Sequence, residues 1–548
     1  MMKAFTYDTL TFPAKEAVLT LPSGKEISLS SFKYQPIELC YDENGIERSN
    51  KIGDEFDAVR LYPQTPGKYV LKTDTEKIEI EVSDSNLHGY VTVSEKDARY
   101  FRWSDGTPLN LFGINLAFIS PAPVSAGYEF GQLNERCYLG LRQYERWFKQ
   151  CRDNGVNMAR IWLGHEYFSP DTEDADVFSN AQFSKIEALL ELARKYGIVL
   201  KLTIDQFRFF DYERIADSSS PSDDIFRKFN KRLYKDGKRC ESADEWMGER
   251  IWRDAWINKL KNFAVRFSGH PSIFGIELWN EMNCVSYKWL RDWNEEMLTV
   301  AKDLFPDHLV MNSIGSFDCD EVFELYDNFC WDRSSVKQVH RYIDRGAKYE
   351  VCHTSGIDLA RDACKRLMTP DKPFIIAETG AVNPCHCGTF SYYSADHRGL
   401  IFCDAVYTPL FCGSASCGHI WHWDERYVEA KNLYPKFKPL TSLCKDIVFD
   451  EENFRSEVYE TDNIILLLLC GKTTTIGYLR NKEDRWDVTL RDLKEALPAD
   501  ASFDIGINGK LTFHKIWNDE SGSVSYENGK LTISSLRHGF LLKFRSEQ

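Results

Sequence analysis

Residues 275–283 read GIELWNEMN. An apolar run closes on Trp279, Asn280 and Glu281. Strands often end in polar turn residues, so these groups could mark a turn and nothing more. The flanking sequence decides. Seven further β-rich runs share this character: LNLFGIN (109–115), NMARIWL (157–163), IVLKLTI (198–204), HLVMNSI (308–314), VKQVHRY (336–342), PFIIAET (373–379) and GHIWHW (418–423). Between most of them lie amphipathic helical stretches such as YERWFKQCRDNG (144–155), FSKIEALLELARKYG (183–197) and WINKLKNFAVRFSG (256–269). Eight strands alternating with helices over roughly 350 residues predict an α/β fold, a (β/α)8 TIM barrel. We bound it at 96–445. A doubly wound sheet is the competitor, but no Gly-rich phosphate loop follows any strand.

The flanks follow a different pattern. In residues 1–95, DAVRLYP (57–63), KYVLKT (68–73) and KIEIEVS (77–83) alternate apolar and polar side chains, which predicts a small antiparallel, Ig-like β-sandwich. Strand patterns return after 446 in TTTIGYLR (473–480), SVSYENGKLTISS (523–535) and GFLLKFR (539–545). Asn528-Gly529 is a hairpin signal, and a second β-sandwich is expected over 446–548.

Composition narrows the function. With 548 residues the chain exceeds one compact core, so several domains are expected. A formal net charge of −15 disfavours nucleic acid, whose phosphates require a basic surface. The longest apolar run, IILLLLC (464–470), is far short of the roughly 20 residues of a membrane helix and reads as a buried strand. The N-terminal MMKAFTYDTLTFPAKEAV lacks the apolar core of a secretion signal. The sixteen cysteines are scattered rather than packed into a short stapled scaffold, so reduced thiols and a cytoplasmic location are expected. CHC at 385–387 has no second ligand pair near it and does not match zinc spacings, so neither metal nor cofactor is expected.

In a barrel, chemistry sits at the C-terminal ends of the strands. Reading those ends in order gives Asn115, Arg160, Asp205, Asn280 with Glu281, His340 with Tyr342, Glu378, and Trp421 with Trp423. Glu281 and Glu378 each end an otherwise apolar strand, the fourth and the seventh, which face each other across a barrel. Double displacement at a glycosidic bond needs two carboxyl groups about 5 Å apart, one a proton donor and one a nucleophile.

The motifs resemble clan A glycoside hydrolases, most closely family 5, the cellulase and mannanase family. WNE (279–281) resembles the acid/base motif, IIAETG (375–380) the nucleophile motif, NMARIW (157–162) the second strand, HRY (340–342) the His-x-Tyr of the sixth, and LFGIN (111–115) the first. The resemblance implies a retaining β-glycosidase acting on β-glucosides or β-mannosides of oligosaccharides. It implies that Glu281 is the acid/base, Glu378 the nucleophile, Arg160 and Tyr342 supports of Glu378, Asn280 a contact to the sugar 2-hydroxyl, and His340 a sugar contact. It also implies a tryptophan platform at the end of strand eight. Alternation along a strand puts Trp421 and Trp423 on one face, and Trp423 is preferred. Two alternatives share these residues: a non-catalytic carbohydrate-binding protein and a transglycosidase.

Overall fold

The computed structural model describes residues 1–43, 45–119, 139–165, 167–206, 233–284, 288–326, 331–384 and 388–545. CHC (385–387), Glu166 and the Ser-rich stretch 216–224 lie outside the described residues.

Seven strands of the central region are β1 (Gly113–Asn115), β2 (Met158–Trp162), β3 (Val199–Gln206), β4 (Ile273–Asn280), β5 (Leu309–Met311), β6 (Lys337–Ile343) and β7 (Phe374–Ala381). They run parallel, in the order expected of a (β/α)8 barrel, but in two pieces. One sheet is β1-β2-β3-β4-β5 and the other β6-β7. Every residue of β2, β3, β4 and β7 is buried, as in parallel sheets covered on both faces. The pieces approach where the Ser335 N–H donates to the Val310 carbonyl (2.8 Å). In place of a regular eighth strand there is a short extended segment around Ile420. It bridges β7 at Thr379, and the Asn115 N–H donates to its carbonyl (3.3 Å).

Long helices cover the strands, among them α1 (Leu141–Asp153), α2 (Asn180–Tyr196), α3 (Arg250–Phe267), α4 (Leu290–Leu304), α5 (Gly356–Leu367) and α6 (Leu400–Phe411). Their ends carry local signals. Ser179 and Ser355 accept from the amides of Gln182 and Asp358, satisfying donors that a helix start leaves open, and Gly197 closes α2 at φ 67°.

In the N-terminal region a five-stranded and a three-stranded sheet enclose one apolar cluster. Leu10, Val59 and Leu61 reach it from one sheet, and Leu19, Leu71, Ile80 and Val82 from the other. The expected antiparallel pattern is broken at one edge, where Met2–Phe5 pairs parallel with Lys77–Ser83. Nothing in the local alternation distinguishes the two senses of pairing. The C-terminal region also has a five-stranded and a three-stranded sheet. Asn528 (φ 51°) and Gly529 (φ 82°) form the hairpin turn between paired strands, as their dipeptide predicts.

Candidate active site

Strand β4 ends at Asn280, and Glu281 takes φ 51°, a left-handed conformation that is costly for a non-glycine residue. The Ser313 hydroxyl oxygen beyond β5 accepts the Glu281 N–H (3.2 Å), which helps to hold the turn. The polar end of GIELWNEMN therefore closes the strand and turns a carboxylate into the strand mouth.

Arg160 is the hub. It is wholly buried, and every nitrogen of its guanidinium donates. Nε and Nη2 grip Glu277 (2.6 and 3.0 Å), Nη2 also reaches Asn280 Oδ1 (2.6 Å), and Nη1 pairs with Glu378 Oε1. The Tyr342 hydroxyl donates to the other oxygen of Glu378 (2.5 Å). Burial alone would lower the Arg160 pKa, but Glu277 and Glu378 raise it instead. Burial and the neighbouring Glu378 carboxylate hold the Tyr342 hydroxyl protonated, far above its ordinary range.

His340 stands between the two mouth carboxylates. Its Nδ1 is 2.9 Å from Glu281 Oε1, and its Nε2 is 3.5 Å from Glu378 Oε1. Burial pushes its pKa down to about 4 despite the pull of Glu378, so the ring is neutral at pH 7. Single donor atoms of Glu281, His340 and Glu378 all lie within 4.8 Å of one another. Among the described residues this is the grouping whose spread suits a cation. Arg160 and Tyr342 already satisfy Glu378, however, and a cation would have to displace a guanidinium from it.

The other expected residues fall into place less evenly. Asn115 is wholly buried. Its amide donates to the carbonyls of Ala377 and His419 (both 3.0 Å) and its oxygen faces Arg160 (3.4 Å), so it ties strands together and has no surface for a sugar. Asp205 is paired with Lys259 (2.7 Å) and with the Trp256 indole N–H (2.9 Å). Trp423, the preferred platform, and Trp421 stand in different surroundings. Trp423 is 0% exposed and packed edge-on to Phe118 and Trp147, whereas Trp421 is half-buried beside Trp162. The physical reason is His422 at φ 57°, which breaks the strand and cancels the alternation that would have paired the two indoles. Trp331 stacks on Tyr326 in the core, and Trp162 and Trp279 are buried.

Sequence reading missed the floor beneath the pair. Glu277, four residues before Glu281, accepts from Arg160, from Thr203 Oγ1 (2.6 Å) and from Gln338 Nε2 (3.0 Å). Lys201 lies below, donating to Gln338 Oε1 (2.6 Å). The signal was present: an acid and a lysine inside runs otherwise built for burial.

The family model for Cellulase (glycosyl hydrolase family 5) matches residues 104–393, more than half of the chain, and the chain belongs to that family. Family membership implies a (β/α)8 barrel and a carbohydrate substrate. Among solved structures, a protein from Bacteroides vulgatus ATCC 8482, provisionally assigned as a glycoside hydrolase, is 13% identical. The match covers 100% of both chains with a TM-score of 0.56. A glycoside hydrolase family 5 structure from the same organism is also 13% identical, covers 84% of this chain and 94% of its own, and has a TM-score of 0.50. At such identities the likeness is one of fold. No curated protein matches the chain.

Proposed function

We propose that the protein is a retaining β-glycosidase that cleaves β-glucosides or β-mannosides of short oligosaccharides by double displacement, in a barrel flanked by two β-sandwiches. The observation that carries the reading is the separation of Glu281 and Glu378, which bring an oxygen each within 4.8 Å. Retaining enzymes hold their carboxyl groups about 5–5.5 Å apart, whereas inverting ones leave about 6.5–9.5 Å for a water.

The roles follow from the surroundings. Glu378, gripped by Arg160 and Tyr342, is the nucleophile, and it attacks the anomeric carbon. Glu281, whose Oε1 lies 2.9 Å from His340 Nδ1, gives its proton to the glycosidic oxygen as that bond breaks. A glycosyl ester on Glu378 results. Glu281, now a carboxylate, takes a proton from the incoming water, which attacks the same carbon and releases Glu378. Asn280 gives its oxygen to Arg160, so its NH2 end is the donor for the sugar 2-hydroxyl. Glucose and mannose differ at that carbon, which makes Asn280 the residue closest to the choice between them. The half-buried face of Trp421 suits the apolar face of a pyranose. Neither metal nor cofactor enters these steps. The same residues would serve transglycosylation if a sugar hydroxyl replaced the water. We place the enzyme in the cytoplasm, on the scattered cysteines.

The test is a panel of aryl β-glycosides of glucose, mannose, cellobiose and mannobiose, given to the wild type and to Glu378→Ala. Release by the wild type alone, with azide restoring turnover of the variant as the α-glycosyl azide, is expected. Equal release by both proteins would sink the assignment of Glu378.

A further inference from the structure

Beneath the mouth, the strands enclose charged side chains that no step above uses. Lys201 on β3 and Glu277 on β4 are both wholly buried, with Nζ 3.9 Å from Glu277 Oε2. Gln338 on β6 joins them, its oxygen accepting from Lys201 (2.6 Å) and its NH2 donating to Glu277 (3.0 Å). Glu277 in turn grips Arg160 through two nitrogens, leaving Nη1 for Glu378.

A count of charge shows what the lysine supplies. Arg160 is a single cation flanked by two carboxylates, Glu277 and Glu378. Alone, the three would leave one buried negative charge uncompensated, and proteins avoid that by taking up a proton. The other groups facing Lys201 cannot balance it. His340 on β6 and His419 beside Ile420 are both held neutral by burial. With Lys201 charged, the set Lys201, Arg160, Glu277 and Glu378 is neutral and both carboxylates can be ionised together.

We propose that Lys201 is a positioning residue, which through Gln338 and Glu277 balances the charge beneath Arg160 and so keeps Glu378 ionised for attack. The proposal rests on the double-displacement reading. Without the lysine, the proton goes to one of the two carboxylates. Glu277 is held by Arg160, Thr203 and Gln338 and is fully enclosed, whereas Glu378 is nearer the mouth. Burial holds the lysine pKa down to about 7, against the raising effect of Glu277, so the balance is in place over the acid side of neutrality.

The experiment is the pH profile of kcat/KM, on whichever aryl glycoside the wild type cleaves, for Lys201→Met, Lys201→Gln and Thr203→Val. Both lysine variants should move the acidic limb up by about one pH unit, a tenfold loss of kcat/KM at pH values below the limb. Thr203→Val, which removes an uncharged donor to Glu277, should leave the limb in place. A folded lysine variant with an unmoved limb, or an equal shift in Thr203→Val, overturns the proposal. A second reading needs no activity and stands even if the panel is silent. In the lysine variants a carboxyl with a raised folded-state pKa must lose its proton as pH rises, which costs stability above its unfolded value. The difference in Tm from wild type should therefore widen between pH 4.5 and 6.5, and a constant difference overturns the proposal.

Discussion

Trp421 and Trp423 are two residues apart and chemically identical, yet the fold gives them different surroundings. The Trp423 ring lies 5.2 Å from Phe118 and 6.2 Å from Trp147, without contact with solvent. Truncating such a side chain opens a cavity, so Trp423→Ala should cost about 3–5 kcal/mol, read as a fall in the urea midpoint. Trp421→Ala should leave the midpoint nearly unchanged and raise KM about tenfold, equivalent to about 1.4 kcal/mol of binding. A KM that moves with Trp423 and not with Trp421 would return the platform to Trp423. Sequence named both tryptophans because their composition and position were visible. Their different exposure was not visible, because it follows from the backbone angle of His422.

Strand elements here are shaped by what the interior must hold. The register of β6 on β7 shifts between Val339 and His340, so that His340 pairs with Glu378 and Ala377 is left over. Irregularities of this kind re-aim side chains near active sites. Gly113 in β1 answers a different demand, for an ideal Cβ there would lie 2.2 Å from His419 Nε2. Gly113→Ala should therefore destabilise the protein by about 1–3 kcal/mol through overpacking. Adding His419→Ala should recover part of that loss, and thermal unfolding of the double-mutant cycle measures the coupling. Strictly additive losses would show that the ring is not what requires the glycine. The existence and order of these strands were legible from apolar runs. The shift and the glycine were not, because each depends on a neighbour distant in sequence.

At the scale of the molecule, the β regions are joined to the barrel region by buried contacts. Glu47, in the N-terminal hairpin, accepts the Leu141 N–H at the start of α1 (2.7 Å) and the Tyr167 hydroxyl (2.6 Å). The run IILLLLC was expected as a buried strand, and its unbroken apolarity has a cause. Ile464, Leu466 and Leu468 enter the C-terminal cluster, while Ile465, Leu467 and Leu469 enter the cluster that includes the barrel region. Arg480 beside it is wholly buried, donates to Asp404 of α6 (2.9 Å) and meets Asp484 (3.3 Å). Removing one partner from a buried pair leaves an uncompensated charge. Asp404→Asn should cost about 3 kcal/mol, near the lower end for such pairs because Asp484 remains. Calorimetry checks it, and an unchanged Tm would mean that the junction contributes little.

What the sequence alone determined is what local pattern carries. Apolar period and helix ends set the order of strands and helices, and short motifs named Arg160, Glu281, His340, Tyr342 and Glu378 together, although the strands run on past Arg160, His340 and Glu378, which were read as strand ends. The tertiary structure decided which of these groups meet. Arg160 and Glu277 are 117 residues apart, and Lys201 and Gln338 are 137 apart. A buried charge is stable only when its partners surround it, and no local period records who those partners are.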